Sequence, residues 1–225
     1  NSYSPDGMLP LYIELAQQAA HEAVLTPNEI TELDDYQNPG GNGILTQPVF
    51  INFSTSDNPD GWNAYTGFLE GVAIPNMIYT NGQFTGIEAA TTSRFRGVNN
   101  TSGAGSTTTD LNMDDSVSKS NFYSHALAWG SNDPIEESII EFSGFESNDT
   151  YEFCFFASRN SVSDNRDTKY TLVGANEQSA NLDAANNATN TVCISNVQAD
   201  ANGKIILKVA AGDSNNNGNQ FYYIN

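Results

Sequence analysis

Two of the chain's four arginines, Arg159 and Arg166, fall within eight residues of each other, in a loop that also holds Asp164 and Asn165. Guanidinium groups at that spacing can do one of two things. They can receive a planar or hydroxyl-rich ligand, or they can pair with nearby carboxylates and pin the loop to the sheet. The interleaved acids favour the second use: a structural loop network of Arg159, Asp164, Asn165 and Arg166, reaching to Asp167 or more distant carboxylates. The other two arginines, Arg94 and Arg96, share one face of a strand-like run with Glu88, which can satisfy them.

Sugar binding is the sharpest chemistry the remaining residues offer. A sugar presents a C–H face and paired hydroxyls, so its site needs flat aromatic rings beside planar polar groups. The ligand-binding candidates are Trp62, Tyr65 and Trp129, with Arg94 and Arg96 as the polar partners. Trp62 follows the turn "DNPDG" and is flanked by Gly61 and Asn63, which points to exposure. Trp129, at a strand end before "GSNDP", reads as a ring that caps the core.

Catalysis finds little support. The chain has two histidines, His21 and His125, and no G-x-S-x-G elbow. Asp114–Asp115 and Glu136–Glu137 are sequence neighbours, and on a strand such pairs point to opposite faces rather than to one substrate bond. The expectation is that the protein is not an enzyme. The oxygen-rich stretches "SVSDNRD" and "DSNNNGN" could hold a structural Ca²⁺, but neither has the ligand spacing of an EF-hand loop, and such turns commonly bond their own backbone. No other cofactor is implied.

Composition narrows the class. Eight Lys plus Arg stand against 27 Asp plus Glu, a formal charge of −19 that repels nucleic-acid phosphates and anionic lipid heads. No run of 18 apolar residues exists, so no helical membrane span is expected. Aromatic residues reach 11%, which argues against disorder, and the abundance of Asn, Ser, Thr and Gly suits an extracellular or cell-surface β-protein. Two cysteines, Cys154 and Cys193, each oppose the main apolar stripe of a strand-like run; they are either a cross-strand disulfide or two free thiols.

These candidates need elements to hold them. Residues 1–46 read as a helical leader and linker: "PLYIELAQQAAHEAVL" has helical spacing, "TPNE" restarts a helix at Thr26, and "DDYQNPGGNG" is turn-rich. Two helices over residues 10–33 would serve self-assembly or dock onto a parent-protein domain. From Gln47 the pattern changes to period two, with strand-like runs at 49–53, 87–96, 123–129, 138–142, 151–158, 169–173, 191–197, 204–210 and 221–225. Turns at "NG" (81–82), "SND" (147–149) and "DANG" (200–203) divide them, the last reading as a hairpin. Eight to ten short strands predict a β-sandwich or jelly roll over residues 47–225, with an N-terminal helical extension.

Two resemblances bear on function. The stretch "SPDGMLP" resembles the Asp-Gly-x-His-Pro block of SGNH-type esterases; Leu9 stands where the histidine would be, so such a block would not catalyse. Over about 180 residues the β region resembles a module appended to secreted polysaccharide-degrading and adhesin-type proteins of Bacteroidetes. The blocks that carry this are "VFINFST", "NGQFTGI", "FRGVNNTSG", "SNFYSHALAW", "YEFCFFASRNSVSDNRDTKYTLVGAN", "LDAANNATNTVCISNVQADANGKIILKV" and "NNNGNQFYYIN". Ser158, Arg159, Asn165, Arg166, Tyr170 and Asn176 match its motif. The resemblance implies a galactose-binding-like jelly roll that binds polysaccharide or glycan, or mediates adhesion. It also implies Thr at the positions of Cys154 and Cys193, which favours their being paired. The expected function is a non-catalytic carbohydrate-binding or adhesion module. A structural subunit of an extracellular assembly (filament, surface layer or virion appendage), docked through its helical leader, would account for the same composition.

Overall fold

The structure is a computed structural model that describes residues 43–56, 58–109, 111 and 113–225. The helices expected over 10–33, and most of the linker after them, lie outside the described residues. The compact unit that contains the described residues spans Gly40–Asn225. Gly43 already belongs to its fabric, since Gly43 N–H donates to Thr85 O and Tyr151 Oη donates to Gly43 O.

Among the described residues, thirteen strands and one short helix follow in order. They are β1 (Ile51–Phe53), β2 (Asn63–Tyr65), β3 (Ala73–Ile74), β4 (Glu88–Ser93), β5 (Gly97–Asn99), α1 (Asp115–Lys119), β6 (Asn121–His125), β7 (Glu137–Ser143), β8 (Thr150–Phe155), β9 (Asp167–Val173), β10 (Glu177–Asp183), β11 (Val192–Gln198), β12 (Lys204–Ala211) and β13 (Phe221–Ile224). The protein is therefore mainly β, as the period-two patterning predicts. No helix among the described residues is long and apolar enough to cross a membrane.

The largest sheet has six antiparallel strands in the order β10-β9-β12-β7-β4-β3. Alternation drives its burial: Ile140 and Phe142 of β7, Tyr170 and Leu172 of β9, and Ile205, Leu207 and Val209 of β12 all turn into the core. Facing it are three smaller pieces, β13-β6-β5 and β11-β8, both antiparallel, and the parallel pair β1-β2. The layers meet through large rings. Phe155 of β8 stacks on Tyr170 of β9 with centroids 4.3 Å apart, and Tyr170 Oη donates to Tyr223 O at 2.8 Å. This is a sandwich arrangement.

Cys154 and Cys193 are directly opposed on β8 and β11 and are joined as a disulfide. A Cα separation of 4.0 Å is that of a non-hydrogen-bonded antiparallel pair, which turns both side chains to one face. Their sulfurs lie close to Glu152, but sulfurs bonded to each other are not thiolate ligands, and the Glu152 carboxylate accepts from Ser195 Oγ.

The "DANG" segment makes a turn but not the hairpin expected of it. Asp200 N–H donates to Lys204 O, Gly203 has φ +72°, and Asp200 Oδ1 accepts from Asn202 and Lys204 N–H. Only Gly203, not Asn202, has positive φ, whereas a type I′ hairpin turn needs both. The chain accordingly crosses between layers here, β11 pairing with β8 and β12 with β7 and β9. The tight hairpin is β9–β10, paired from Val173↔Glu177 outward.

Candidate functional site

The three-stranded piece β13-β6-β5 shows one face to the core and one to the outside. Phe122, Tyr222 and Ile224 turn inward and are fully buried. On the opposite face the register sets Tyr123 across from both Gly97 and Tyr223, Asn121 across from Asn99, and Phe221 across from His125. Gly97 packs closely here: a Cβ there would lie 3.0 Å from the Tyr123 hydroxyl, and the Tyr123 ring would have to shift by a few tenths of an ångström.

Two loops wall this face and leave a cleft of about 270 Å³, lined among others by Asn121, Tyr123, Trp129, Arg159, Arg166 and Phe221. Its volume lies near the lower end of small-ligand pockets, about 300–1,000 Å³. Trp129 sits on a tight turn closed by reciprocal Trp129–Asn132 backbone bonds, with Gly130 at φ +59°. Its ring meets Phe221 edge-on at 5.3 Å and His125 at 5.8 Å, yet the residue remains 42% exposed. Two neighbouring rings thus hold this tryptophan while part of its surface stays open to solvent.

The second wall is the loop leading into β9. Arg166 Nε donates to Asp164 Oδ1 at 2.8 Å, Arg166 Nη1 donates to Tyr223 Oη at 2.6 Å, and its guanidinium lies 5.4 Å from the Phe221 ring centre. Asn217 Nδ2 donates to the other Asp164 oxygen at 2.5 Å. Asn165 and Asn216 exchange bonds between the two Asx-rich loops: Asn165 N–H donates to Asn216 Oδ1, and Asn216 N–H to Asn165 O. The two oxygens of Asp164, one of the residues considered for Ca²⁺, thus face a guanidinium and an amide donor. Burial raises the Tyr223 hydroxyl above its usual range, and Arg166 and Arg159 act against that rise.

Arg166 and Asp164 form a structural pair, whereas Arg159 stands outside it. Arg159 was expected to pair with Asp164, Asp167 or more distant carboxylates, and it forms no ion pair among the described residues. Asp164 is instead occupied by Arg166 and Asn217, and Asp167 accepts from Asn181 Nδ2 and Ser214 N–H. Arg159 Nη1 donates to Asn160 O at 3.3 Å, and its backbone is held by Ala184 and Asn186.

Other sequence candidates are placed elsewhere. Tyr65 is fully buried, its hydroxyl bonded to Thr91 Oγ1 and Val72 O, so it is a core residue rather than a ligand contact. Trp62 is half-buried and stacks on Phe50 at 4.7 Å. It borders a larger apolar groove of about 590 Å³ between the chain entering β1 and strand β8, where Glu152 is the one charged lining residue among the described residues. Size does not decide in favour of that groove, because convergent polar groups are what orient a sugar. Arg94 is exposed and Arg96 half-exposed, and neither lines either cavity. His125 is buried with Nδ1 2.9 Å from Leu127 O, behind the aromatic wall. Asp114, considered as a paired carboxylate, is the N-cap of α1, where its Oδ1 accepts from Ser116 N–H at 2.7 Å.

The sequence reading missed Phe221, Tyr223 and Asn121. "NQFYYIN" did carry a signal: with Tyr222 and Ile224 inward, Phe221 and Tyr223 must share the outer face. Asn121 carried none, yet it has a distinctive state. It is fully buried, its Nδ2 donates to Ser158 O at 3.1 Å and Ser102 Oγ at 3.3 Å, and its Oδ1 has no partner among the described residues. Flipping the amide would set oxygen against the Ser158 carbonyl, so the acceptor is the unpaired end. Leaving such an atom unpaired costs about 1–3 kcal/mol.

The Asp164–Arg166 pair sets a pH limit on this wall. The Arg166 bond, then that from Asn217, holds the Asp164 carboxyl below its ordinary value. A carboxyl lowered on folding adds stability above its unfolded pKa, about 3.9, and that contribution is lost as pH falls through the folded value. In a Trp62→Phe background, Trp129 fluorescence should be flat from pH 7 to about 5 and change only below about pH 4. A transition centred near pH 6 would contradict this assignment.

No protein-family model matches the chain, and neither a curated protein nor a solved structure does.

Proposed function

We propose that the chain is a non-catalytic, extracellular carbohydrate-binding or adhesion module built as a jelly roll, of the kind found on secreted Bacteroidetes proteins. The observation that carries this reading is the cleft on the outer face of β13-β6-β5. There the exposed Trp129, backed by Phe221, stands beside Arg159, Arg166 and the unpaired Asn121 acceptor. An aromatic face takes the C–H surface of a sugar ring, and the guanidinium and amide groups take its hydroxyls. The disulfide supports an oxidising, extracellular setting, since such bonds persist there.

A glycan array followed by titration calorimetry tests the proposal. Trp129→Ala should weaken binding of any retained glycan by about thirtyfold or more, as removal of a central aromatic anchor does. Trp62→Ala should leave affinity within about twofold, the range of a residue outside the contact. The reverse ranking would move the site to the apolar groove.

A further inference from the structure

We infer that the sugar unit held in this cleft is anionic, with its carboxylate or sulfate received by the Arg159 guanidinium. This rests on the glycan reading above and narrows the ligand within it.

The two arginines of the cleft differ in their charge balance. Arg166 is matched by Asp164, whose two oxygens are both taken. Arg159 belongs to none of the ion pairs among the described residues, which are Lys119–Asp115, Arg166–Asp164, Lys204–Glu141 and Lys208–Glu137. Arg94, Arg96 and Lys169 are also outside those pairs, but none of them lines the cleft. Arg159 is half-buried, in a cleft walled by Trp129, Phe221 and Tyr223. A guanidinium has five N–H donors in a planar fork. Asn160 O takes one from Nη1 and the Tyr223 hydroxyl interacts with another, so the donors that remain are what would receive an anionic group.

Asn121 then selects among anions. Its unpaired Oδ1 needs a donor, and a fully ionised inorganic anion or a simple carboxylate has none to give. A sugar acid or sugar sulfate has both parts: an anionic group for Arg159 and hydroxyl or acetamido N–H donors for Asn121. Its C–H face would cover the open side of Trp129. The cleft volume of about 270 Å³ suits a single such unit rather than a long chain segment.

The charge of −19 on the chain opposes any anionic ligand at long range. At about 0.15 M salt the screening length is about 8 Å, so the cleft's own groups dominate once the ligand is seated. Short oligosaccharides are therefore better probes than polymers.

Titration calorimetry at that ionic strength should use four probes: oligogalacturonate, its methyl ester, a neutral oligogalactose, and the same oligogalactose 6-sulfated. The acid, the sulfate or both should bind at least about tenfold tighter than their uncharged counterparts, the usual effect of a charge-assisted pair. Whichever is tighter identifies the anionic group. Arg159→Gln should abolish that preference while the melting temperature stays unchanged, and Arg159→Lys should restore part of it. Equal binding of charged and uncharged probes, or an unchanged preference in Arg159→Gln, overturns the inference while leaving glycan binding intact. Absence of binding to these probes and to every glycan of the array overturns the glycan reading and this inference together.

Discussion

Phe122→Ala is expected to lower the unfolding free energy by about 3–5 kcal/mol, the range for removing a fully buried phenylalanine. Phe122 has no exposed surface and touches four other rings: Phe53 at 5.4 Å, Phe95 at 5.6 Å, Tyr65 at 6.1 Å and Phe68 at 6.2 Å. These come from β1, β2, the β2–β3 loop and the β4–β5 connection, so neighbours on several segments would have to move together to close the void. They are large and interlocked, which makes collapse costly. Edge-to-face and tilted contacts add about 0.5–1.5 kcal/mol each beyond area alone. Urea titration should show the midpoint falling with the slope unchanged. A loss below about 1 kcal/mol would mean that the ring cluster does not hold the layers together. Under the function proposed above, glycan affinity should fall as well, because Phe122 lies between Asn121 and Tyr123 on β6 and fixes the strand that presents both.

Removing the disulfide with Cys154→Ala and Cys193→Ala together is expected to cost about 4 kcal/mol. A bridge that closes a loop across a sequence separation of 39 restricts the unfolded chain by about that amount. For a chain of this size it corresponds to a fall in melting temperature of about 8–16 °C. The location adds a local reason. Among the described residues β8 and β11 pair only with each other, and their ladder is interrupted by a bulge between Ile194 and Val197. A two-stranded ribbon is marginal by itself, and here the covalent link and the inward Phe155, Ile194 and Val197 are what secure it. Scanning calorimetry with and without reductant provides the measurement. An unchanged melting temperature in the double variant would show that packing alone holds the ribbon.

The strands rich in β-branched and aromatic residues were legible in the sequence because each has one buried face. The run read at 204–210 is β12 at Lys204–Ala211, and that at 169–173 is the inner part of β9. β10 was not read. Its residues EQSANLD are mostly exposed or half-exposed at the sheet edge, where little selects for apolar alternation. The cleft was legible only in fragments. Trp129 and Arg166 drew notice as residue types, but their meeting depends on β13 lying beside β6, a pairing that no local signal encodes. The expected ranking of the two tryptophans reversed for the same reason. Gly61 and Asn63 flank Trp62 in a turn, but Phe50 arrives from β1's side to cover it.

Long-range pairing also sets a timetable. Ser138 and Tyr222, hydrogen-bonded in the core, are 84 residues apart, and Arg166 and Tyr223, bonded across the cleft, are 57 apart. Contacts this distant close only after chain entropy over long loops has been lost, and folds dominated by them form in milliseconds to seconds. The hairpin β9–β10 needs no such search, because its strands are consecutive. Refolding should therefore give β-sheet signal first and a closed cleft last, with Trp129 reaching its native environment only when β13 docks. A partly folded chain would present its sandwich core well before this cleft exists, so that a formed cleft reports completion of the whole domain.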